Sequence, residues 1–221
     1  MPGTLVAGAA PAHLAPWMLV PPRPLVLASA SPARLGLLRG AGLDPQVVVS
    51  GVDEDVDGLA PRELVLELAV RKACAVAERP GAVPAGALVL GCDSLLELDG
   101  EALGKPGTAE VALQRWARMA GRTGTLLTGH CVVDTATGST ASAVGATAVR
   151  FGSPAPDELA AYVASGEPLQ VAGAFTLDGR GAAYLEGIDG DAGNVIGVSL
   201  PVLRTLLAQL GVAIHELWAA A

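Results

Sequence analysis

The stretch that most constrains the fold is LVLASASPARLGLL, at residues 25–38. Its first four residues form an apolar run of the length typical of a buried strand. Residues 29–32, Ser-Ala-Ser-Pro, interrupt that run, and from Pro32 onward apolar residues recur at helical spacing. Ser31 suits the N-cap of this helix, and proline is favoured at the first helical position. The stretch therefore predicts a strand, a hydroxyl-rich turn and a helix.

A helix start of this kind is suited to a phosphate group. Its free N–H groups carry partial positive charge, and Arg34 in the first turn adds a fork of donors for phosphate oxygens. An ordinary strand-to-helix connection with a surface arginine fits the same residues, because many such turns bind nothing. Both interpretations stay open on this stretch alone.

Length and charge narrow the class of protein. The 221 residues fit one large domain or two small lobes that share a cleft. The net charge of −8 argues against a protein that binds the nucleic-acid backbone, although cations focused in one cleft could still bind a small anion. No apolar run reaches the roughly 18 residues of a membrane span. We therefore expect neither nucleic acid nor membrane as a partner.

The cysteines and the first residues predict a cytoplasmic protein. Cys74, Cys92 and Cys131 include no CxxC pair, so reduced thiols are expected rather than disulfides or a zinc site. Residues 1–23 are rich in Ala and Pro and lack the basic start of a signal peptide. We expect them to be a poorly ordered extension.

Strands and helices alternate along the rest of the chain. We predict strands at 45–50, 87–97, 124–134, 139–151 and 212–217, and helices at 61–78, 108–119, 156–165 and 201–210. Alternation in the first half and hairpins in the second predict an α/β fold, with a mixed central sheet flanked by helices.

Asp93 is the most informative single residue, because it interrupts an apolar strand. An unpaired carboxylate buried there would be strongly destabilising, so it needs a cation, a metal or an exit into a cleft. It could bind Mg²⁺ or activate water, or it could be a hydrogen-bonded aspartate at a strand end. Function is favoured, since strand-end carboxylates cluster at the active clefts of α/β folds.

The other charged candidates are ambiguous by themselves. Lys105 lies in a Gly-Lys-Pro-Gly loop whose spacing, with Pro106, excludes a P-loop. Lys72, Lys105 and Arg122 could each be ordinary solvated cations, and Glu54 could be a metal ligand or part of a solvated acidic loop. We interpret residues 189–194 as a turn, and the scattered histidines suggest no ligand set.

Taken in order, short motifs over residues 25–218 resemble the Maf family, the septum-formation-inhibitor-like nucleoside triphosphate pyrophosphatases. They are SASPAR at 29–34, VDE at 52–54, LA at 68–69 with KA at 72–73, CDS at 92–94, LGKP at 103–106, TG at 128–129, EP at 167–168, AG at 172–173 and NVIG at 194–197. Each motif is weak, but the ordered set is specific.

The resemblance implies one catalytic domain, residues 24–218, with two lobes around a cleft in a Maf- or ITPase-like fold. It implies hydrolysis of a nucleoside triphosphate between its α- and β-phosphates, with Mg²⁺ or Mn²⁺ as cofactor. The products would be the monophosphate and pyrophosphate. A homodimer is left open, and the alternative is a non-catalytic nucleotide-binding regulator of cell division and septum formation.

The resemblance supplies most of the predicted site residues position by position. Asp93 would be the catalytic acid/base, with Glu54, Lys72 and Lys105 also catalytic. Asp93 and Glu54 would bind the metal. Ser29, Ser31, Arg34, Arg122 and Asp178 are predicted to bind substrate.

Two departures from the family pattern concern the substrate. Ala33 stands where the family often has a second arginine, so Arg34 alone must hold phosphate on that side. Leu-Asp-Gly at 177–179 replaces the Ile-Gln-Gly common in the branch that acts on dTTP and UTP. Asp178 is more similar to the acidic residue of the branch that acts on 7-methylguanosine triphosphate. The base is therefore open between a pyrimidine (dTTP, UTP or CTP) and a modified purine.

Overall fold

A computed structural model describes residues 23–219, which form a mixed seven-stranded sheet with helices on it. The strands are β1 (Leu25–Leu27), β2 (Gln46–Val47), β3 (Leu88–Leu98), β4 (Glu101–Leu103), β5 (Thr123–Asp134), β6 (Thr140–Phe151) and β7 (Leu185–Asp189). Their order is β2-β1-β3-β5-β6-β7, with β4 paired to β3. The pairs β1–β2 and β1–β3 are parallel, and the remaining pairs are antiparallel. The predicted mixed α/β fold is confirmed.

Six α-helices are found among the described residues. They are α1 (Pro32–Gly40), α2 (Pro61–Ala77), α3 (Ala109–Met119), α4 (Pro156–Ala164), α5 (Ala192–Ile196) and α6 (Leu200–Gln209). Short 3-10 helices lie at Glu167–Gln170, Ala172–Ala174, Arg180–Tyr184 and Ile214–Leu217. The sequence predicted only a turn at 189–194, where Asp191 instead caps α5 by accepting from the Gly193 N–H.

The predicted strand at 212–217 is wrong. After α6 the chain satisfies its backbone locally, with the Glu216 N–H donating to the Ala213 carbonyl at 2.9 Å. Val212 and Leu217 still bury their side chains in the core, which explains why the segment is apolar. The predicted strand at 45–50 is confirmed only at Gln46–Val47, a short edge strand.

Strand β3 contributes to several hydrophobic clusters, and two of them lie toward its opposite ends. Its N-terminal half supplies Leu88, Leu90 and Cys92 to a cluster with α1 and α6. Its C-terminal half supplies Leu96 and Leu98 to a cluster with α3 and α4. Residues 93 and 94, Asp and Ser, lie between these two clusters, so the most polar part of this strand lies where they meet.

Helix α2 packs unusually close to the sheet because two strand residues lack a side chain. A Cβ on Gly91 of β3 would lie 2.3 Å from the Ala69 carbonyl oxygen, and one on Gly129 of β5 would lie 2.0 Å from that of Val65. Either contact is far inside van der Waals range, so only glycine permits this approach. The close packing brings Lys72 of α2 to Asp93 of β3.

The first described residue is held by an ion pair. Residues 1–23 are predicted to be poorly ordered, and all of them except Arg23 lie outside the described residues. Arg23 itself pairs with Asp134 at 2.5 Å and donates to the Gly86 carbonyl.

Cys92 and Cys131 are buried, and burial raises the pKa of each thiol to about 12. In residues 23–219, no helix combines the length and the apolar character needed to cross the bilayer.

Candidate functional site

A cleft of ≈ 490 Å³ opens beside Asp93 and Ser94 of β3, a volume in the usual range for small-ligand sites. One side, called here the strand-end wall, comprises the β1–α1 turn, Lys72 of α2, and Asp93 and Ser94 of β3. The other side, called here the loop wall, comprises Lys105, residues 170–172 and residues 175–178. Among the predicted site residues, those that line the cleft are Ser29, Ser31, Arg34, Glu54, Lys72, Asp93, Lys105 and Asp178.

Arg122 is the predicted site residue that the structure leaves outside the cleft. It lies just before β5, and its guanidinium pairs with the Asp99 carboxylate at 2.5 Å on the protein surface. Asp99 is six residues along the chain from Asp93, roughly 20 Å at the rise of an extended strand. Because β3 and β5 are antiparallel, the start of β5 lies beside the end of β3, so Arg122 lies near Asp99 and away from Asp93.

Lys72 joins the two predicted metal-binding carboxylates. Its Nζ lies 2.6 Å from Asp93 Oδ1 and 2.6 Å from Glu54 Oε1, and its side chain is only 8% exposed. Burial raises the pKa of Glu54, but the hydrogen bond and charge of Lys72, together with the charges of Lys105 and Arg34, outweigh burial and leave that pKa below its usual value. The cation that a carboxylate in β3 requires is therefore Lys72.

Arg34 is held from three directions. Its Nε donates to the Gly197 carbonyl at 3.0 Å, one terminal nitrogen donates to Ser29 Oγ at 3.1 Å, and the other donates to Ser94 Oγ at 2.9 Å. The Ser94 hydroxyl is in turn 2.9 Å from Thr128 Oγ1, a buried group on β5. These contacts orient the guanidinium before any ligand arrives.

The start of α1 has the predicted form. Ser31 is the N-cap and accepts from the Arg34 N–H, and Pro32 occupies the first turn. Ser29 Oγ also accepts from the Ser31 N–H at 3.2 Å, which shapes the turn before the helix. Since Ser31, Pro32 and Ala33 line the cleft, the N-terminus of a nine-residue helix opens into it.

The loop wall has no long element of its own and is held by α3. The buried Trp116 donates its indole N–H to the Ala174 carbonyl at 2.8 Å. Arg115 donates to the Gly104 carbonyl, which also accepts from the Gly173 N–H at 3.1 Å. Ala174 has a φ of +59°, a left-handed conformation that alanine rarely adopts. No pattern in the sequence linked residues 115 and 116 to this wall.

His130 is a second residue whose role the sequence did not reveal. It is fully buried on β5, and its Nε2 accepts from the Ser199 N–H at 2.8 Å, just beyond the Gly197 that holds Arg34. Burial, assisted by the charge of Arg34, lowers the pKa of His130 to about 4. A neutral imidazole thus supports the strand-end wall from behind.

The donors available to a metal ion are few. Within residues 23–219, no group of three or more His, Cys, Asp or Glu is arranged to hold one. Asp93 and Glu54 supply two carboxylates. Mg²⁺ is commonly held by one or two carboxylates together with waters and substrate phosphates. The residues therefore fit a divalent ion whose shell is completed by the ligand.

Comparison with known proteins agrees with the sequence motifs. The family model described as "Maf-like protein" matches residues 24–210. A protein of Streptomyces coelicolor named "Nucleoside triphosphate pyrophosphatase" is 66% identical over 202 residues, covering 91% of this chain and 97% of that protein. A Nocardia farcinica protein of the same name is 54% identical over 203 residues, covering 88% of this chain and 96% of that protein. The chain therefore belongs to the family of Maf-like proteins.

Proposed function

We propose that this protein is a nucleoside triphosphate pyrophosphatase that cleaves its substrate between the α- and β-phosphates. The observation that carries the proposal is the Asp93–Lys72–Glu54 group, with 2.6 Å contacts, in a cleft also lined by Arg34 and Lys105. Three cations suit a triphosphate, and a carboxylate among them suits the activation of water. The names of the relatives support the same activity.

The proposed reaction uses the chain's own residues in defined roles. Asp93 accepts a proton from water as the water oxygen bonds to the α-phosphorus. The bond from that phosphorus to the bridging oxygen breaks, and pyrophosphate leaves with the electron pair. Lys72 and Lys105 neutralise charge that develops on the phosphates, and Arg34 with the α1 N-terminus, including Ser29 and Ser31, positions them.

Asp93 and Glu54 would hold the divalent metal, Mg²⁺ or Mn²⁺. A bound metal would supply further charge neutralisation at the phosphate oxygens. Lys72 bridges the same two carboxylates, so it also keeps them from repelling one another. Asp178 of the loop wall is proposed to contact the base.

The experiment is a nucleotide panel in ¹⁸O-labelled water. The protein is incubated with dTTP, UTP, CTP, 7-methylguanosine triphosphate and the standard purine triphosphates, each with Mg²⁺ or Mn²⁺, and the products are analysed by mass spectrometry. We expect pyrophosphate and a monophosphate that carries the label, because attack falls on the α-phosphorus. Label in pyrophosphate would mean attack at the β-phosphorus. Nucleotide binding with no pyrophosphate from any substrate would favour the non-catalytic regulator of cell division.

A further inference from the structure

Residues 176–181 form a small loop that is closed by one side chain from outside it. Glu167 Oε1 accepts from Thr176 Oγ1 at 2.5 Å and from the Gly181 N–H at 3.1 Å. The Gly181 N–H is also 3.1 Å from Thr176 Oγ1. A single carboxylate oxygen thus joins the first and last residues of the loop.

The loop backbone is shaped around that carboxylate. A Cβ on Gly179 would lie 2.6 Å from Glu167 Oε1, so the chain approaches the oxygen more closely than a side chain allows. Burial raises the pKa of Glu167, but the hydrogen bonds from Thr176, Gly181 and Arg180 outweigh burial and leave that pKa below its usual value. The ionised form is therefore the one that this loop stabilises.

The loop that Glu167 closes forms part of the cleft wall. Thr176, Leu177 and Asp178 line the cleft, whereas Glu167 is not among the lining residues and acts from behind them. The loop follows the 3-10 helix Ala172–Ala174 and ends in the first turn of the 3-10 helix Arg180–Tyr184, so residues 176–179 have no helix of their own. The two ends of the loop are otherwise joined by the Gly181–Thr176 hydrogen bond and by the Tyr162 hydroxyl, which lies 3.5 Å from Thr176 Oγ1 and close to Gly181. Glu167 makes the shortest of these contacts, at 2.5 Å to Thr176 Oγ1.

We propose that Glu167 is a positioning residue for substrate discrimination, because it closes the loop that presents Leu177 and Asp178 to the cleft. The proposal rests on the proposed function for the identity of the ligand, a nucleoside triphosphate whose base meets the loop wall. In the proposed function the phosphates meet the strand-end wall and Lys105, whereas the base meets residues 176–178, so Glu167 acts on the choice of base rather than on phosphate chemistry.

The test compares Glu167→Ala, Glu167→Gln and the matched control Glu158→Ala. Glu158 also accepts from a backbone N–H, that of Ala155, but it caps α4 and does not contact the loop. Thr176→Val, which keeps the side-chain shape but removes the hydroxyl, is a second variant should Glu167→Ala fail to fold. For each protein, kcat and KM are measured across the nucleotide panel, with thermal unfolding measured alongside.

We expect Glu167→Ala and Thr176→Val to reduce the kcat/KM ratio between the best and worst bases by about tenfold, the usual scale for a lost specificity contact. Glu167→Gln should restore most of the ratio, since its amide oxygen can accept the same bonds. Glu158→Ala should leave the ratio unchanged. An equal loss of activity on every nucleotide, or an unchanged ratio in a folded Glu167→Ala protein, would overturn the proposal.

The outcome remains distinct from failure of the proposed function. If the wild-type protein binds nucleotides but releases no pyrophosphate, dissociation constants for the same panel replace kcat/KM. A ratio of dissociation constants that falls in Glu167→Ala but not in Glu158→Ala would still support the positioning role. A ratio that is identical in both variants would reject it.

Discussion

The two walls of the cleft are built in different ways. On the strand-end wall, Asp93 lies within an eleven-residue strand, Lys72 lies within a seventeen-residue helix, and Arg34 follows an N-cap. On the loop wall, Phe175, Thr176, Leu177 and Asp178 lie between short 3-10 helices. Side chains from elsewhere in the chain, such as Trp116 and Glu167, hold that wall in place.

The difference suggests a division of labour. Groups that must hold a triphosphate to within a fraction of an ångström benefit from regular elements whose backbone is already hydrogen-bonded. A surface that chooses among bases can change by substitution in a loop without disturbing the sheet. We therefore expect changes on the strand-end wall, and at Lys105 or its support, to lower the rate on all substrates. Changes that act on residues 175–178 of the loop wall should instead alter preference among substrates.

The largest expected effect comes from Asp93→Asn on the strand-end wall. The amide cannot accept the proton from water, so kcat should fall by about 10²–10⁴-fold with little change in KM. The measurement is pyrophosphate release at saturating nucleotide, with Asp99→Asn as a control for loss of a lysine- or arginine-paired carboxylate. If Asp93→Asn turned over normally, the base would have to be sought elsewhere, with Glu54 next.

The second prediction concerns acid stability behind the strand-end wall. The pKa of His130 is about 4 in the folded protein against 6.5 for the ordinary side chain, so the folded state binds fewer protons between these values. Its contribution is complete above about pH 6.5 and falls by up to about 1.4 kcal/mol per pH unit as the pH drops towards 4. Arg34 lowers this pKa, while Asp191 opposes the shift.

Urea unfolding of wild type and His130→Gln at several pH values between 7.5 and 4.5 tests this prediction. The glutamine oxygen can still accept from the Ser199 N–H, but it does not titrate. The wild-type free energy of unfolding should therefore decline more steeply than that of the variant below pH 6.5. Parallel curves would show that another group dominates the acid limb.

The third prediction tests selectivity on the loop wall through Asp178→Gln. A carboxylate can only accept hydrogen bonds, whereas an amide can both donate and accept, so the preferred base edge should change. Relative kcat/KM among dTTP, UTP, CTP and 7-methylguanosine triphosphate should shift by about tenfold, the scale of one good hydrogen bond. Uniform loss across the panel would assign Asp178 to the metal region, and no change would leave it a solvent-facing residue.

The smallest effect is expected from Arg115→Ala, which removes a support from the Gly104 carbonyl beside Lys105. We expect kcat/KM to fall roughly fivefold, the scale of one lost hydrogen bond, on every nucleotide. In a protein that already carries Lys105→Ala, adding Arg115→Ala should have no further effect, because the lysine side chain that Arg115 helps to position is already absent. Arg118→Ala and Arg122→Ala, which break surface pairs with Glu101 and Asp99, should change kcat/KM less than twofold. Additive losses in the double variant would argue for a general structural role.

Much of the strand-end wall could be predicted from the sequence because its signals are local. The helix start depends on three features that lie within about a dozen residues of one another: the apolar run before Ser31, the proline after it and the apolar periodicity that follows. The helix begins where they predict. Because desolvation of an unpaired carboxylate is costly, Asp93 in an apolar strand implied that a partner or a cleft lies nearby. Its identity as Lys72, 21 residues away, depended on how closely α2 packs on Gly91 and Gly129.

The errors have the same origin. An apolar segment such as 212–217 can bury its side chains as a strand or as a 3-10 helix, and only the space beside α6 decides between them. Arg122 had the right charge for a phosphate, but the antiparallel pairing of β5 with β3 places it beside the end of β3, where it pairs with Asp99.

The sequence by itself determined most of the alternation of strands and helices, the helix start at Ser31, and the need of Asp93 for a cation, a metal or an exit into a cleft. Each follows from propensity, capping or desolvation over neighbouring residues. The tertiary structure alone decided which cation reaches Asp93, that His130 supports Ser199, and that Glu167 closes the loop at 176–181. Some of these contacts join residues that are distant along the chain, and others depend on the geometry of a turn. They exist only once packing has fixed the distances between the elements that carry them.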